Sequence, residues 1–411
     1  MDKDLSNLNS KETIEAAHPP LPLRFFNATG KVLSRLGIRI ELSKQSLRTA
    51  AERKTLLSDF GDSYFEEPLS VLINSIETES QLNYFGRIMA RQMITTALIN
   101  RLRIQSETLH HSSIFKTSIK RPIFIIGYPR TGSTFLHNLL ALDTENRTLK
   151  MYEALSPIPP EASKEHKQDP RIKEAEKFVK MAHLISPQAS VIHSLRATGP
   201  DECLKLIENT FISPHFLLYF HAPSYWDWLI NQGTIVPIKV YEYHRTQLQL
   251  IGQGDSDIRW VLKAPVHLFF LDALLKIYPD ACIIHLHRDP MAAIPSFCSL
   301  IAVSRAMSSN SVDPNNIGNF ALKLYEISRG HATSAIDSLA NSRQFYDLKY
   351  EALIQNPLGS VQQIYDFFDI TPNPGLEQSI NIWLAQNPQH KHGVHRYSLN
   401  TFGIKPSQIT D

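Results

Sequence analysis

Cysteine is scarce in this chain: Cys203, Cys282 and Cys298 are the only three in 411 residues. An odd, scattered set excludes a disulfide framework and a zinc site built on cysteine spacing. All three read as reduced packing thiols, and Cys282 lies inside an apolar run. Excess charge of either sign is also missing. With 42 Lys and Arg against 40 Asp and Glu the net charge is +2, which excludes a general appetite for nucleic acid and leaves any anion site to a local basic cluster. No stretch offers about 18 uninterrupted apolar residues, and the start MDKDLSNLNSKETIEAAHPP lacks both the basic and the apolar part of a secretory signal. The expectation is a soluble, cytoplasmic protein without a transmembrane segment. Peripheral membrane contact stays open, and oligomeric state is not readable.

What the chain does have is an ordinary globular composition, 43% apolar and 20% charged, and length enough for a large core with an appendage. Residues 1–112 read as a helical N-terminal region. SKQSLRTAAERKTLLSDFG is rich in helix formers, and Leu82, Phe85, Met89 and Met93 follow three- and four-residue spacing. The segment before and through HPPLP reads as loose. Across residues 113–411 short apolar runs alternate with helices. PIFIIG, RWVLKAP, ACIIHLHRDP and QFYDLKY read as strands, and TFLHNLLALD and HLFFLDALLKIYP as helices. Strand–helix–strand in that order demands parallel pairing with right-handed crossovers. The predicted fold is α/β: a P-loop-like parallel sheet flanked by helices, with ligands at the carboxyl ends of the strands.

The loop GYPRTGST, Gly127 to Thr134, stands between a strand and a helix, the order that aims backbone N–H groups at an anion. It lacks the lysine that follows the second glycine in nucleotide-binding loops and reaches the β- and γ-phosphates. Ser133 holds that place, and Arg130 has appeared upstream. No convincing acidic magnesium partner stands at a strand end. A second cluster is HLHRDPMAAIPSF, where Arg288 leaves a strand and Ser296 follows about two helical turns later. Each alone has a bland reading, a surface arginine or a capping serine. Together they suit a ligand with two separate anionic groups.

These segments resemble the 5′-phosphosulfate loop and the 3′-phosphate motif of the sulfotransferase family, whose members use 3′-phosphoadenosine 5′-phosphosulfate (PAPS). The pattern is most similar to bacterial and protein-tyrosine-type members. WVLKAPVHL resembles the strand that supplies a lysine near the transferred group, here Lys263, and LKYEALIQNP resembles the adenine-side segment with its tyrosine, here Tyr350. In order and spacing the resemblance covers residues 121 to about 360. It implies that Arg130, Thr131, Gly132, Ser133, Thr134, Phe135, Arg288, Ser296 and Tyr350 bind the donor, and that Arg130 and Lys263 act on the departing group. It implies in-line transfer to a hydroxyl of a small-molecule or lipid acceptor, with no metal, because the sulfuryl group carries a single negative charge.

The general base is less determined. Many cytosolic members place a histidine two residues after the strand lysine, but that position is Pro265. Protein-tyrosine and some bacterial members use a glutamate about twenty residues beyond the loop arginine, which the resemblance carries to Glu153; helix-start capping is the competing role. His193, Asp201 and Glu202 are rivals. Lys391 and Gly393, in HKHGVHRYSLNTFGI, loosely resemble the basic glycine loop that closes over the 3′-phosphate, against a solvated charged tail. FISPHFLLYFHAPSYWDWLI packs seven aromatics into twenty residues, an acceptor pocket or helix core in equal measure. Two other functions stay in view: a metal-dependent P-loop nucleotide kinase, and a non-catalytic module that binds 3′-phosphoadenosine 5′-phosphate.

Overall fold

The computed structural model describes residues 20–111, 115, 118–159, 169–185, 195–233, 235–253, 259–338, 342–387 and 398–409. Five parallel strands form one sheet: β1 (Ile123–Gly127), β2 (Asn146–Thr148), β3 (Arg259–Lys263), β4 (Cys282–His287) and β5 (Phe345–Lys349), in the order β2-β3-β1-β4-β5. The four expected strands are all present. The fifth, β2, has the sequence NRT, too short and too polar for any apolar pattern to reveal it. Every residue of β1 is buried, as a central strand covered on both faces requires. Its side chains alternate between two cores. Ile123 and Ile125 join Leu136, Leu139, Val261 and Ile284 on one face, and Phe124 and Ile126 join the larger cluster on the other.

Of the N-terminal helices α1 (Leu21–Arg35), α2 (Lys44–Thr55), α3 (Glu66–Glu79) and α4 (Tyr84–His110), the last three join that larger cluster through Leu47, Leu72, Ile94 and Leu98. The helical region therefore shares the core of the α/β part. Asn83 caps α4 by accepting from Gly86 N at 2.7 Å and donates to the Met307 carbonyl at 3.0 Å. A Cβ on Gly86 would stand 1.9 Å from the Ser308 carbonyl oxygen, so this glycine is what lets α4 approach that backbone. Arg101 is fully buried and donates to the carbonyls of Phe60, Asp62 and Asn209, with its guanidinium 4.0 Å from the Phe65 ring centroid. A buried guanidinium is tolerable only when its donors are used in this way.

Two sequence readings change. HLFFLDALLKIYP forms two helices, Val266–Phe269 and Leu271–Ile277, and the break at Phe270 lets both Phe269 and Phe270 enter the core. In the aromatic stretch Phe211, Phe216, Phe220, Tyr225 and Trp226 are buried, and Tyr219 and Trp228 pack partly against the same core. The core role of this segment prevails over the pocket role. The helix Pro290–Ser308, α6 after α5 (Ser133–Leu140), is long and apolar enough to cross a membrane, but 72% of its most apolar window is buried inside the protein.

Candidate active site

The strand order makes β1 the switch point: β3 lies on one side and β4 on the other. The crevice at its carboxyl end is where such sheets bind ligands. Lys263 ends β3, the loop Tyr128–Gly132 leaves β1, and Arg288 leaves β4. Three stretches far apart in the chain thus meet over a few ångströms.

The loop is tightly built. Gly127 and Gly132 have φ of +150° and +89°, and Arg130, a non-glycine residue, has φ of +75°. A bulky residue held in the left-handed region is a strained conformation that needs outside support. Arg288 supplies part of it by donating Nη1–H to the Arg130 carbonyl at 2.8 Å. Arg130 in turn donates Nε–H to Ser296 Oγ at 3.2 Å. The two arginine clusters inferred separately from the sequence are therefore in direct contact. Tyr350 closes the assembly: its ring lies 4.5 Å under the Arg288 guanidinium, and a Cβ on Gly132 would fall 2.8 Å from its Cδ2. Gly132→Ala combines this clash with backbone strain. We expect it to destabilise the protein by about 1–3 kcal/mol, read by urea unfolding.

Not every loop residue faces the crevice. Thr131 is buried and donates its hydroxyl to the Tyr128 carbonyl at 2.9 Å, so its side chain holds the loop instead of a ligand. Phe135 packs on Trp383 at 5.7 Å between ring centroids, and its N–H donates to the Gly132 carbonyl at 3.0 Å. Its ring serves helix packing. Ser133 and Thr134 begin α5, where first-turn amides lack intrahelical acceptors.

Lys263 is buried, ion-paired with Glu202, and donates to Thr134 Oγ1 at 3.2 Å. Glu202 is carried there by the stretch 195–203, which is pinned by Tyr152 N to the Ala197 carbonyl at 3.1 Å, Asp201 N to the Leu149 carbonyl at 2.8 Å and Cys203 N to the Lys263 carbonyl at 3.0 Å. Asp201 turns back and accepts from Glu202 N at 2.8 Å. Behind Lys263, His137 sits in α5 with Nε2 3.2 Å from the Val261 carbonyl. Burial, reinforced by the Lys263 charge, pushes its pKa down to about 3, so the ring is neutral and donates.

Glu153 stands elsewhere. Its Oε1 pairs with Arg147 at 2.7 Å, and its Oε2 accepts from Lys150 N at 2.9 Å. This is the helix-start role that competed with catalysis in the sequence. Of the candidate carboxylates it is Glu202, not Glu153, that touches the lysine. His193, Lys391 and Gly393 lie outside the described residues. A further charged group adjoins the same stretch: Glu208 is ion-paired with His215 and, at 2.9 Å, with Lys205. Burial alone would raise Glu208, but the charges of Lys205 and His215 hold it down to about 2. Lys205 and Glu208 stand three residues apart on one helical turn, but His215 joins them only once the turn after Glu208 is folded.

Among the described residues two groups bring three potential metal ligands within 4.8 Å of one another. Cys203, His244 and His267 are buried, with the imidazole Nδ1 atoms held by Tyr278 at 2.9 Å and Tyr241 at 2.8 Å. His285, His287 and Asp347 form the other, with His287 Nε2 2.5 Å from Asp347. Neither group follows from linear cysteine spacing, since each is assembled from separate stretches of the chain.

The chain is similar to known sulfotransferases in sequence and fold. The omega-hydroxy-beta-dihydromenaquinone-9 sulfotransferase Stf3 of Mycobacterium tuberculosis is 25% identical over 296 residues, 69% of this chain and 71% of that protein. The crystal structure of sulfotransferase STF1 from Mycobacterium tuberculosis matches with a TM-score of 0.77 at 33% identity, covering 88% of this chain and 96% of that one. Sulfotransferase STF9 from Mycobacterium avium, at 24% identity and a TM-score of 0.78 over 89% of this chain and 94% of that one, supports the fold. The profile of the sulfotransferase family matches residues 122–374, well over half of the chain, and the protein belongs to that family.

Proposed function

We propose that this sulfotransferase takes PAPS as its donor and passes the sulfuryl group to the hydroxyl of a lipid or apolar small molecule. The observation that carries the reading is the convergence of Arg130, Arg288, Ser296 and Lys263 at the switch point. The donor carries its sulfuryl group at the outer end of the 5′-phosphate of an adenosine that also bears a 3′-phosphate, and transfer breaks the bond between sulfur and the bridging oxygen. Arg130 and the first-turn amides of α5 suit the 5′ side, as charge-assisted donors at a helix N-terminus. Arg288 and Ser296 suit the 3′-phosphate, and Tyr350 the adenosine between them. Lys263 lies on the Thr134 side of the loop, where a cation stabilises a departing oxygen. Glu202, in contact with that lysine, is the group we assign to remove the acceptor proton; Asp201, its rival, has its carboxylate turned back on the backbone. A single negative charge on the sulfuryl group makes a metal clamp less necessary than in phosphoryl transfer.

For the acceptor, support comes from the mycobacterial relative named for a menaquinone-derived alcohol. Calorimetric titration with 3′-phosphoadenosine 5′-phosphate against ADP, without metal, tests the donor. We expect a strong preference for the former, and Arg288→Ala should remove most of it, about ten- to a hundred-fold in affinity. Equal affinities would return the kinase reading.

A further inference from the structure

Helix α1 is amphipathic in the wrong sense for a helix that only serves the core. Its buried side is Leu23 and Gly30. The larger apolar residues face outward: Leu21, Phe25, Val32 and Leu36 are 64%, 73%, 55% and 72% exposed. Their spacing, four, then seven, then four residues, places all four on one face at 3.6 residues per turn. Arg24, Lys31 and Arg35 repeat at seven and four residues and form a parallel row along one edge of that stripe. Between Pro20 and Ile40 there are four cations, Arg39 being the fourth, and no acidic residue. For a chain whose net charge is only +2, this is a local concentration of one sign.

An outward apolar stripe with a basic border is the pattern of helices that lie in a membrane interface, apolar side chains in the acyl boundary and cations among anionic headgroups. We propose that α1 docks the enzyme on an anionic lipid bilayer. A second copy of the chain is the weaker occupant, since facing cationic rows would repel each other. The proposal gains purpose from, and in that respect rests on, the reading of the acceptor as a lipid alcohol: a protein that sulfates a membrane-dissolved hydroxyl works where its acceptor is. The two remain separable, because vesicle binding needs no acceptor.

The test is co-sedimentation of the full chain with phosphatidylcholine vesicles with and without about one third phosphatidylglycerol, at low and high salt. We expect binding to the anionic vesicles, at least about ten-fold weaker binding to the zwitterionic ones, and release by salt. Phe25→Ser/Leu36→Ser and Arg24→Gln/Lys31→Gln/Arg35→Gln should each lower anionic-vesicle binding about ten-fold or more, while helical content and turnover of a water-soluble alcohol stay as in the parent. Equal sedimentation of parent and variants, or none by the parent, overturns the proposal. So does dimerisation by the parent, lost in the variants, without vesicle binding. Vesicle binding without turnover of any lipid alcohol would leave the docking intact and overturn the acceptor reading.

Discussion

Glu202→Gln should lower kcat by about 10²–10⁴, the usual contribution of a positioned general base, while affinity for 3′-phosphoadenosine 5′-phosphate changes by less than about two-fold. Glutamine keeps the shape and can still accept from Lys263, so the charge and the proton-accepting oxygen are what is removed. The loss corresponds to about 3–5 kcal/mol of transition-state stabilisation. Glu153→Gln should behave in the opposite way. Its carboxylate is buried against Arg147, which is itself mostly buried, and breaking such a pair leaves an uncompensated charge worth about 3–5 kcal/mol of stability. Its kcat, measured on the fraction that remains folded, should be close to that of the parent. Urea unfolding and single-turnover rates of both variants decide between the carboxylates. A stable Glu153 variant with kcat reduced a hundred-fold or more, beside an active Glu202 variant, would return the base to Glu153. Lys263 is read last, since Lys263→Ala also removes the cation paired with Glu202, and only the double variant with Glu202→Gln separates the two effects.

Why the sequence ranked Glu202 behind Glu153 as a candidate base shows where such reading stops. Arg130, Lys263 and Arg288 stand at strand ends, and each strand is announced by a short apolar run with its own turn. Their meeting follows from parallel pairing alone. Glu202 belongs to a stretch with no strand or helix to announce it; hydrogen bonds to Leu149, Tyr152 and the Lys263 carbonyl bring it over β3, and none of those partners is near in sequence. Glu153, by contrast, lies at an attractive distance from Arg130 along the chain, but its neighbour in space is Arg147. Spacing measured along the chain is a good guide inside a helix or strand and a poor one across a turn. The same reasoning covers Thr131 and Phe135: a motif identifies the loop, but which side chains turn inward depends on the positive φ at Arg130 and Gly132. For α1 only a general helical character was legible beforehand, and its first turn, Leu21 and Pro22, fell in the segment read as loose. That its apolar side faces away from the protein needed the packing of Leu23 and Gly30.

The largest response to solution conditions should come from histidines that the chemistry does not use. His137 and His244 are held neutral by burial, each with its pKa pushed down to about 3, and His267 is pushed well below its ordinary value, again chiefly by burial. The unfolded chain takes up these protons near the ordinary value of 6.5, the folded chain does not. The stabilisation is therefore fully present above about pH 6.5 and is lost as the pH falls from there toward about 3. Each proton contributes a slope of about 1.4 kcal/mol per pH unit, so three approach about 4 kcal/mol per unit. Against a typical total of roughly 5–15 kcal/mol, two to three units of acidification suffice to unfold the protein. Glu208 acts later and in its own window, its contribution present above 4.5 and lost as the pH falls toward about 2. Urea midpoints at pH 7.5, 6.5 and 5.5 should therefore fall steeply over the last unit, well before carboxylates titrate. His244→Phe, which keeps a ring against Phe124 and Tyr278, should lower that slope by about a third. A flat profile down to pH 5.5 in the parent would mean that the buried imidazoles take up protons without unfolding the core that encloses them.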